Sequence, residues 1–243
     1  LPNPPEPLPA GAEQSYTVIQ LEPGIEYFFA IKAYDDFNNQ SEISNVVSSQ
    51  LLTDIIAPSA IVLSVVTGNA LNNNTIRLSW IAPGDDGQEG TANHYIVKYS
   101  NQPLNEENWE NAITVANPPL PATSGSNQFM NVTGLNPGTI YYFAIKAFDE
   151  AGNGGELSNF PSGKIVYQID AGPCNGCGNC VNHCPEDAIT DHGSYASINA
   201  ALCVACGECI SWCPRNAIRL TIIAYNNPGT KSSNKANTWM WFK

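Results

Sequence analysis

Hydrophobic and polar residues alternate in short segments that recur every 10–20 positions between Pro58 and Val166. An alternation with a period of two is typical of β-strands that bury one face. Clusters of Gly, Pro and Asn separate the segments, as expected for turns. The predicted strands are Ala60–Val66, Thr75–Ile81, His94–Ser100, Ala112–Ala116, Gln128–Thr133, Thr139–Phe148 and Leu157–Val166. Several short strands within about 105 residues predict a β-sandwich.

The strand predicted at 139–148 presents two sets of side chains to opposite faces. One set is aromatic and aliphatic and consists of Tyr141, Phe143, Ile145 and Ala147. The other set includes Lys146, and a lysine is rarely buried without a partner. The first set is therefore predicted to face the core.

An internal repeat relates this region to the start of the chain. Residues 21–45 and 135–159 align without a gap at an offset of 114, and 14 of the 25 positions are identical. Self-similarity of this density indicates two copies of one domain. Leu1 aligns with Val115, so the first copy lacks counterparts of four strands. Either the chain is a piece of a longer protein or another chain supplies those strands.

The first copy is therefore expected to carry an apolar face that needs a cover. Four side chains are predicted to point inward there: Tyr27, Phe29, Ile31 and Ala33. The cover would come from upstream sequence or from a neighbouring chain, the latter as in donor-strand assembly.

Three motifs of the second copy resemble those of the fibronectin type III family. The matching residues are Trp80, the pattern Tyr95-x-Val97-x-Tyr99, and Leu135-Asn136-Pro137-Gly138-Thr139-x-Tyr141. The last of these tyrosines lies where the family has its tyrosine corner. The resemblance implies a mainly β chain of immunoglobulin-like sandwiches, with a complete domain at 56–163 and the C-terminal part of another at 1–55.

Charge and composition narrow the function classes. The chain has 243 residues and a net charge of −12 at pH 7. Nucleic acids and anionic membrane surfaces both require a cationic face, so neither is expected as a partner. No apolar run approaches the roughly 18 residues of a membrane span. No nucleophile–base pair, phosphate loop or paired-carboxylate cleft is evident, so the sequence does not predict an enzyme.

All eight cysteines lie between Cys174 and Cys213, in two runs with the same spacing. Offset by 29, the runs are Cys174, Cys177, Cys180 and Cys184-Pro185, then Cys203, Cys206, Cys209 and Cys213-Pro214. Four disulfides would not explain the period of three or the duplicated Cys-Pro. Two four-ligand zinc sites would not explain three evenly spaced cysteines plus a fourth at a different interval. The pattern favours iron–sulfur clusters, which require inward-pointing thiolates.

The segment from Lys164 to Thr221 resembles the short bacterial ferredoxin with two [4Fe–4S] clusters. The resemblance implies a small α+β domain with duplicated halves, and one-electron transfer at low potential. It also implies that the fourth cysteine of each run serves the cluster of the other run. One cluster would then be held by Cys174, Cys177, Cys180 and Cys213, and the other by Cys203, Cys206, Cys209 and Cys184.

Several smaller features accompany these motifs. Gly178 and Gly207 are expected to adopt positive φ and bring backbone N–H groups near the sulfurs. His183 either tunes a cluster or relays a proton, or it is an ordinary packed or surface side chain. The loop Asp85-Asp86-Gly87 is either a cation site or a tight polar turn. Residues 222–243 form a C-terminal tail, predicted as a docked hairpin strand, a partner-docking segment or the start of a further domain.

Together these features predict an electron-transfer protein whose ferredoxin module is carried on extracytoplasmic fibronectin-type spacers. The expected partner is a redox protein such as a cytochrome or an oxidoreductase, and self-assembly or further domains of the same chain are also compatible. Two alternatives stay open: a structural or adhesive surface protein with bracing clusters, and an electron-entry subunit of a larger redox enzyme. The last sandwich strand and the first ferredoxin strand should abut around Lys164–Tyr167, which would mount the clusters rigidly.

Overall fold

The computed structural model describes residues 5–72 and 74–225 of the chain. The chain divides into two compact units, Leu1–Ile55 and Ile56–Lys243. Among the described residues of the first unit, β1 (Glu26–Phe29) pairs antiparallel with β2 (Val47–Gln50).

The second unit is built mainly from β-strands, which confirms the predicted fold class. Its strands are β3 (Ser64–Val65), β4 (Gly68–Asn69), β5 (Ile76–Ile81), β6 (His94–Ser100), β7 (Ile113–Thr114), β8 (Asn127–Val132), β9 (Ile140–Phe148), β10 (Ser162–Ile169), β11 (Ile189–Asp191), β12 (Ala196–Ile198) and β13 (Ile218–Tyr225). Three strands form a sheet in the order β3-β5-β8, and six form a second sheet in the order β4-β13-β10-β9-β6-β7. The remaining two, β11 and β12, form a hairpin.

The hydrophobic core of the sandwich lies between the three-stranded and the six-stranded sheets. The four side chains of β9 predicted to face inward are all buried: Tyr141, Phe143, Ile145 and Ala147. The facing sheet contributes Trp80, whose ring meets that of Tyr95 edge-on with the centroids 5.5 Å apart. The alternation of the sequence therefore identified the core face of β9.

Several strands of the sandwich differ from the prediction. The strand predicted at Leu157–Val166 begins only at Ser162 and continues to Ile169, and the one predicted at Ala112–Ala116 pairs only over Ile113–Thr114. The segment Ala60–Val66 was predicted as a strand, but only Ser64–Val65 pairs, with β5. Gly68–Asn69 has the composition of a turn, yet it forms β4 because β13 pairs with it from far along the chain. A pairing over such a separation leaves no local pattern in the sequence.

The internal repeat is visible in the backbone pairing of the two units. Tyr27 lies opposite Ser49, and the equivalent Tyr141 lies opposite Gly163. In both copies the hydroxyl of that tyrosine accepts a hydrogen bond from the backbone N–H five residues upstream, at 3.0 Å in the first copy and 3.1 Å in the second. The first copy therefore repeats the local geometry of the sandwich, and its assignment as part of a second fibronectin-type domain stays a prediction.

The first unit exposes the face for which a cover was predicted. Tyr27 and Phe29 are half-buried. Ile31 and Ala33 were predicted to point inward on the same strand, but they lie beyond the end of β1 and are exposed, Ile31 by 75%. The source of the cover stays a prediction.

One continuous strand, β10, links the sandwich to the cysteine-rich segment. Its first residues, Ser162–Lys164, pair with β9, and its whole length pairs with β13. The expected abutment around Lys164–Tyr167 is thus a single strand. The domain boundary drawn after Gly163 falls inside it.

The strand β13 extends past the predicted end of the ferredoxin segment. Its residue Ile222 lies opposite Gly68 on β4, so the predicted tail begins as a strand docked on the sandwich. The rest of that tail, residues 226–243, lies outside the described residues.

The cysteine module, residues 164–221, has two halves related by the 29-residue offset. The register of β10 against β13 places Ile169 opposite Ile218, and that of β11 against β12 places Ile189 opposite Ile198. These isoleucines occupy equivalent positions of the duplicated sequence. The two ladders flank the loops that carry the cysteines.

Candidate metal centre

Two cavities in the cysteine module are lined by four cysteines each. The first cavity is lined by Cys174, Cys177, Cys180 and Cys213. The second cavity is lined by Cys184, Cys203, Cys206 and Cys209. Each therefore brings together three cysteines of one run and the Cys-Pro cysteine of the other.

Short helices divide each run between the two cavities. A 3-10 helix, Val181–His183, joins Cys180 to Cys184, and a helical turn advances about 2 Å per residue. In the second run, α1 (Glu208–Ser211) carries Cys209 and precedes Cys213 in the same way. Over four residues the fourth cysteine is thus displaced along the helix by about 6–8 Å from the third, which moves it from one cavity to the other.

The loops of both runs use the same backbone conformations. Gly178 and Gly207 adopt positive φ, at 71° and 85°, which confirms the expectation from the sequence. Two positions earlier in each run, Gly176 and the equivalent Ala205 also adopt positive φ. Gly176 has no room for a Cβ, because that atom would collide with the backbone of Gly193 in the β11–β12 turn.

Backbone N–H groups reach the sulfurs of the two Cys-Pro cysteines. Ala188 donates to Cys184 Sγ at 3.3 Å, and Ala217 donates to Cys213 Sγ at 3.2 Å. These donors follow the cysteines on the chain and are distinct from the loop glycines, from which the sequence led us to expect such bonds. Hydrogen bonds to ligand sulfurs orient them and tune the bound group.

Electrostatic interactions group the cysteines as the cavities do. Burial raises the pKa of the Cys209 thiol to about 12, and the charges of Cys203, Cys206 and Cys184 add to the rise, with the least from Cys180 of the other cavity. Burial likewise raises the pKa of Cys180, whose charged neighbours include Cys213. Such thiols stay protonated at neutral pH without metal, so metal binding must release their protons.

The donor set fits an inorganic cluster. All eight cysteines are free thiols. Within residues 5–72 and 74–225, no three His, Cys, Asp or Glu side chains converge on a point that could hold one metal ion. Four cysteine thiols around one cavity are the donor set that holds an iron–sulfur cluster.

The surroundings of the second cavity include residues of β10 and of a sandwich turn that the sequence did not connect with it. Lys164 is buried, and its Nζ donates to the carbonyl of Ala200 at 3.1 Å. Tyr167 lines the cavity. Gly138 lies so close to Val204 that a Cβ would collide with the backbone there. Gly138 had a sequence signal as part of the fibronectin-type turn, whereas Lys164 had none.

Two further candidates from the sequence, His183 and the loop at Asp85, do not line either cavity. The rings of His183 and Trp212 stack with centroids 3.6 Å apart, and Nδ1 of His183 lies 2.8 Å from the carbonyl oxygen of Asn179. His183 is thus an exposed side chain beside Cys184 that stacks on Trp212. The loop at Asp85 closes as a turn, with Asp86 bridged to Glu89.

Comparison with protein families agrees with this division of the chain. The fibronectin type III domain model matches residues 62–163, and the 4Fe-4S dicluster domain model matches residues 166–221. The chain carries a fibronectin type III domain and a 4Fe-4S dicluster domain. The predicted fusion of the two is confirmed, and the dicluster domain identifies the cysteine module as an iron–sulfur binding module.

Curated relatives match the fibronectin-bearing part of the chain at low identity. The ephrin type-A receptor 3 of Danio rerio is 26% identical over 137 residues, and the ephrin type-A receptor 5 of Gallus gallus is 30% identical over 147 residues. The alignments cover 56% and 60% of this chain, but only 12% and 13% of the receptors. The crystal structure of titin domains A168-A170 matches with a TM-score of 0.31 and 21% identity, over 58% of this chain and 41% of that one. At that level the likeness to titin adds nothing to the fold assignment.

Proposed function

We propose that this protein transfers electrons through two [4Fe–4S] clusters, one in each cysteine-lined cavity. The first would be held by Cys174, Cys177, Cys180 and Cys213, and the second by Cys203, Cys206, Cys209 and Cys184. The observation that carries the proposal is the crossed lining of the two cavities, because only an exchange of the fourth cysteine completes both sets of four.

The bound clusters supply reversible one-electron chemistry. The chain's own residues hold the thiolates in place, donate N–H groups to two of them and limit the access of water. Cys177 and Cys206 are the most exposed of the eight, so each cavity has one corner near solvent. A redox partner, such as a cytochrome or an oxidoreductase, would approach at such a corner.

The fibronectin type III domain acts in this proposal as a rigid spacer outside the cytoplasm, at a cell surface or in an extracellular assembly. The supports are the domain type itself and the similarity to proteins named as receptors. Among the described residues, no helix has the length and apolar character required to cross a membrane. Fractionation of native cells, followed by immunodetection, tests the location directly.

Paired ligand substitutions test the crossed assignment. Cys184→Ser should damage the same cluster as Cys206→Ser, and Cys213→Ser the same cluster as Cys177→Ser. Iron and sulfide content per chain, with the electron paramagnetic resonance spectrum of the reduced protein, reports which cluster is lost. If Cys184→Ser instead reproduces the spectrum of Cys177→Ser, the ligand assignment is wrong.

Reversible reduction separates electron transfer from the structural alternative. An electron carrier must take up and release one electron per cluster repeatedly without loss of iron, whereas a cluster that only braces the fold need not cycle. Repeated voltammetric cycling of the native protein measures this. Loss of iron in the first cycle would favour the structural or adhesive role.

A further inference from the structure

Within residues 5–72 and 74–225, the buried ammonium group of Lys164 has no carboxylate partner. Lys164 is only 4% exposed, and its Nζ donates to the carbonyls of Ala200 and Ala201 at 3.1 and 3.4 Å. Among the described residues, the ion pairs in the structure involve other cations. A buried cation with only neutral acceptors is costly, so a nearby negative charge is expected to compensate it.

The thiolates of the second cavity can supply this negative charge. The two carbonyls that accept hydrogen bonds from Lys164 belong to residues two and three positions before Cys203. Burial lowers the pKa of Lys164, and attraction to the Cys203 thiolate opposes that effect. The hydroxyl of Tyr225 also donates to the carbonyl of Ala200, at 3.3 Å, which fixes this turn against the end of β13.

The first cavity has no equivalent of this lysine. The 29-residue offset between the two halves of the module places Gly193 at the position that corresponds to Lys164. Gly193 lies in the β11–β12 turn and covers the loop of the first run with its backbone alone. Among the described residues, the buried cation therefore lies beside the second cavity, whereas the β11–β12 turn at the first cavity has a glycine at the equivalent position.

Exposed charges near the cavities act in the opposite direction. Arg215 lines the first cavity, and the equivalent Glu186 lines the second, so both favour added negative charge at the first. Both side chains are exposed, so water and salt screen their interaction with the cavities. The charge of a buried group is screened much less. The lysine is therefore expected to dominate.

We propose that Lys164 raises the reduction potential of the second-cavity cluster above that of the first, so that an electron taken up by the protein resides beside the sandwich. This inference rests on the proposed function, since it requires two clusters that cycle. Uptake of one electron from a one-electron donor adds one negative charge to a cluster and leaves the donor oxidised by one. The buried ammonium stabilises that added charge.

Neutral and charged replacements of Lys164 test the proposal in the full chain with both clusters present. Lys164→Met removes the charge and keeps an apolar stem, whereas Lys164→Arg keeps the charge. Lys98→Met is the matched control, because Lys98 is also buried, 8% exposed, on β6 of the same sheet. Two strand spacings separate β6 from β10, about 10 Å.

The measurement is a redox titration in which each cluster is followed by the cysteine β-proton resonances of the partly reduced protein. In the native protein, the cluster bound by the Cys203 run should be reduced first. Lys164→Met should weaken reduction of that cluster about tenfold, which is about 59 mV for one electron, and move the other less. Lys164→Arg and Lys98→Met should leave the order and the second-cavity potential nearly unchanged.

The outcomes separate this inference from the proposed function. If both clusters cycle but Lys164→Met and Lys98→Met behave alike, the role of Lys164 is wrong and electron transfer stands. If the native protein reduces the Cys174-run cluster first, the inference is overturned even where Lys164→Met fails to fold. Failure of either cluster to cycle in the native protein overturns the proposed function together with this inference.

Discussion

The contact between Gly138 and Val204 predicts a specific coupling between the fibronectin type III domain and the cluster loop. Gly138 has φ +77°, and a Cβ there would collide with the Val204 backbone. Gly138→Ala should therefore cost about 1–2 kcal/mol for the left-handed backbone. Displacing the Val204 loop should cost a further amount of about 1–3 kcal/mol.

Gly134→Ala is the matched control for this substitution. Gly134 has the same φ of +77°, but nothing lies within 4 Å of a Cβ there. The equivalent residue of the first copy is Gln20, which adopts φ 62° with a full side chain. The difference between the two variants should therefore isolate the contact with Val204, about 1–3 kcal/mol, which is about 2–12 °C in the apparent unfolding midpoint at 2–4 °C per kcal/mol.

Thermal unfolding followed by circular dichroism and by visible absorbance of the clusters provides the assay. Gly138→Ala should lower the midpoint more than Gly134→Ala, and the cluster absorbance should bleach earlier in the first variant. Equal midpoints for the two variants would refute the coupling, because backbone strain is common to both.

Two further predictions concern the sandwich and its junction. Tyr141→Phe removes the acceptor for the Asn136 N–H and should cost about 1 kcal/mol in denaturant unfolding, whereas Tyr142→Phe should cost less because its face is only half-buried. If the two substitutions lower the free energy of unfolding equally, the hydrogen bond to the Tyr141 hydroxyl does not stabilise the domain. A short Gly/Ser insertion after Gly163 interrupts β10 and should split the single calorimetric unfolding transition into two. The same insertion after Gly152, where a Cβ would contact nothing within 4 Å, should leave one transition. A single transition in both variants would contradict the shared strand.

Local patterns in the sequence predicted those parts of the structure that local physics determines. The alternation through Tyr141 and Phe143 predicted the buried face of β9, and the 114-residue repeat predicted a register that β1 and β2 reproduce. Which cysteines line each cavity was implied by the resemblance to the two-cluster ferredoxin and not by the spacing alone. Period and self-similarity are sufficient where the structure repeats a short-range rule.

The features that the sequence did not predict depend on contacts between distant segments. Gly68 has the composition of a turn and joins a sheet only because Ile222 lies opposite it. The charge of Lys164 predicts a solvent-exposed side chain. It is instead buried, and its Nζ donates hydrogen bonds to the carbonyls of Ala200 and Ala201. Neither partner is visible in the sequence around the residue itself.

Because β10 is shared, the stability of the whole second unit is expected to depend on cluster binding. Five residues of β10, Ile165–Ile169, pair with β13 alone, and β13 follows directly on the second cysteine run. If the module fails to acquire its clusters and β13 detaches, those five residues become an unprotected sheet edge, the kind of surface on which chains aggregate. We therefore expect iron-starved cells to accumulate aggregated or degraded chains in place of intact chains without clusters. The shared strand thereby makes the folded state of the fibronectin type III domain depend on cluster binding in the cysteine module.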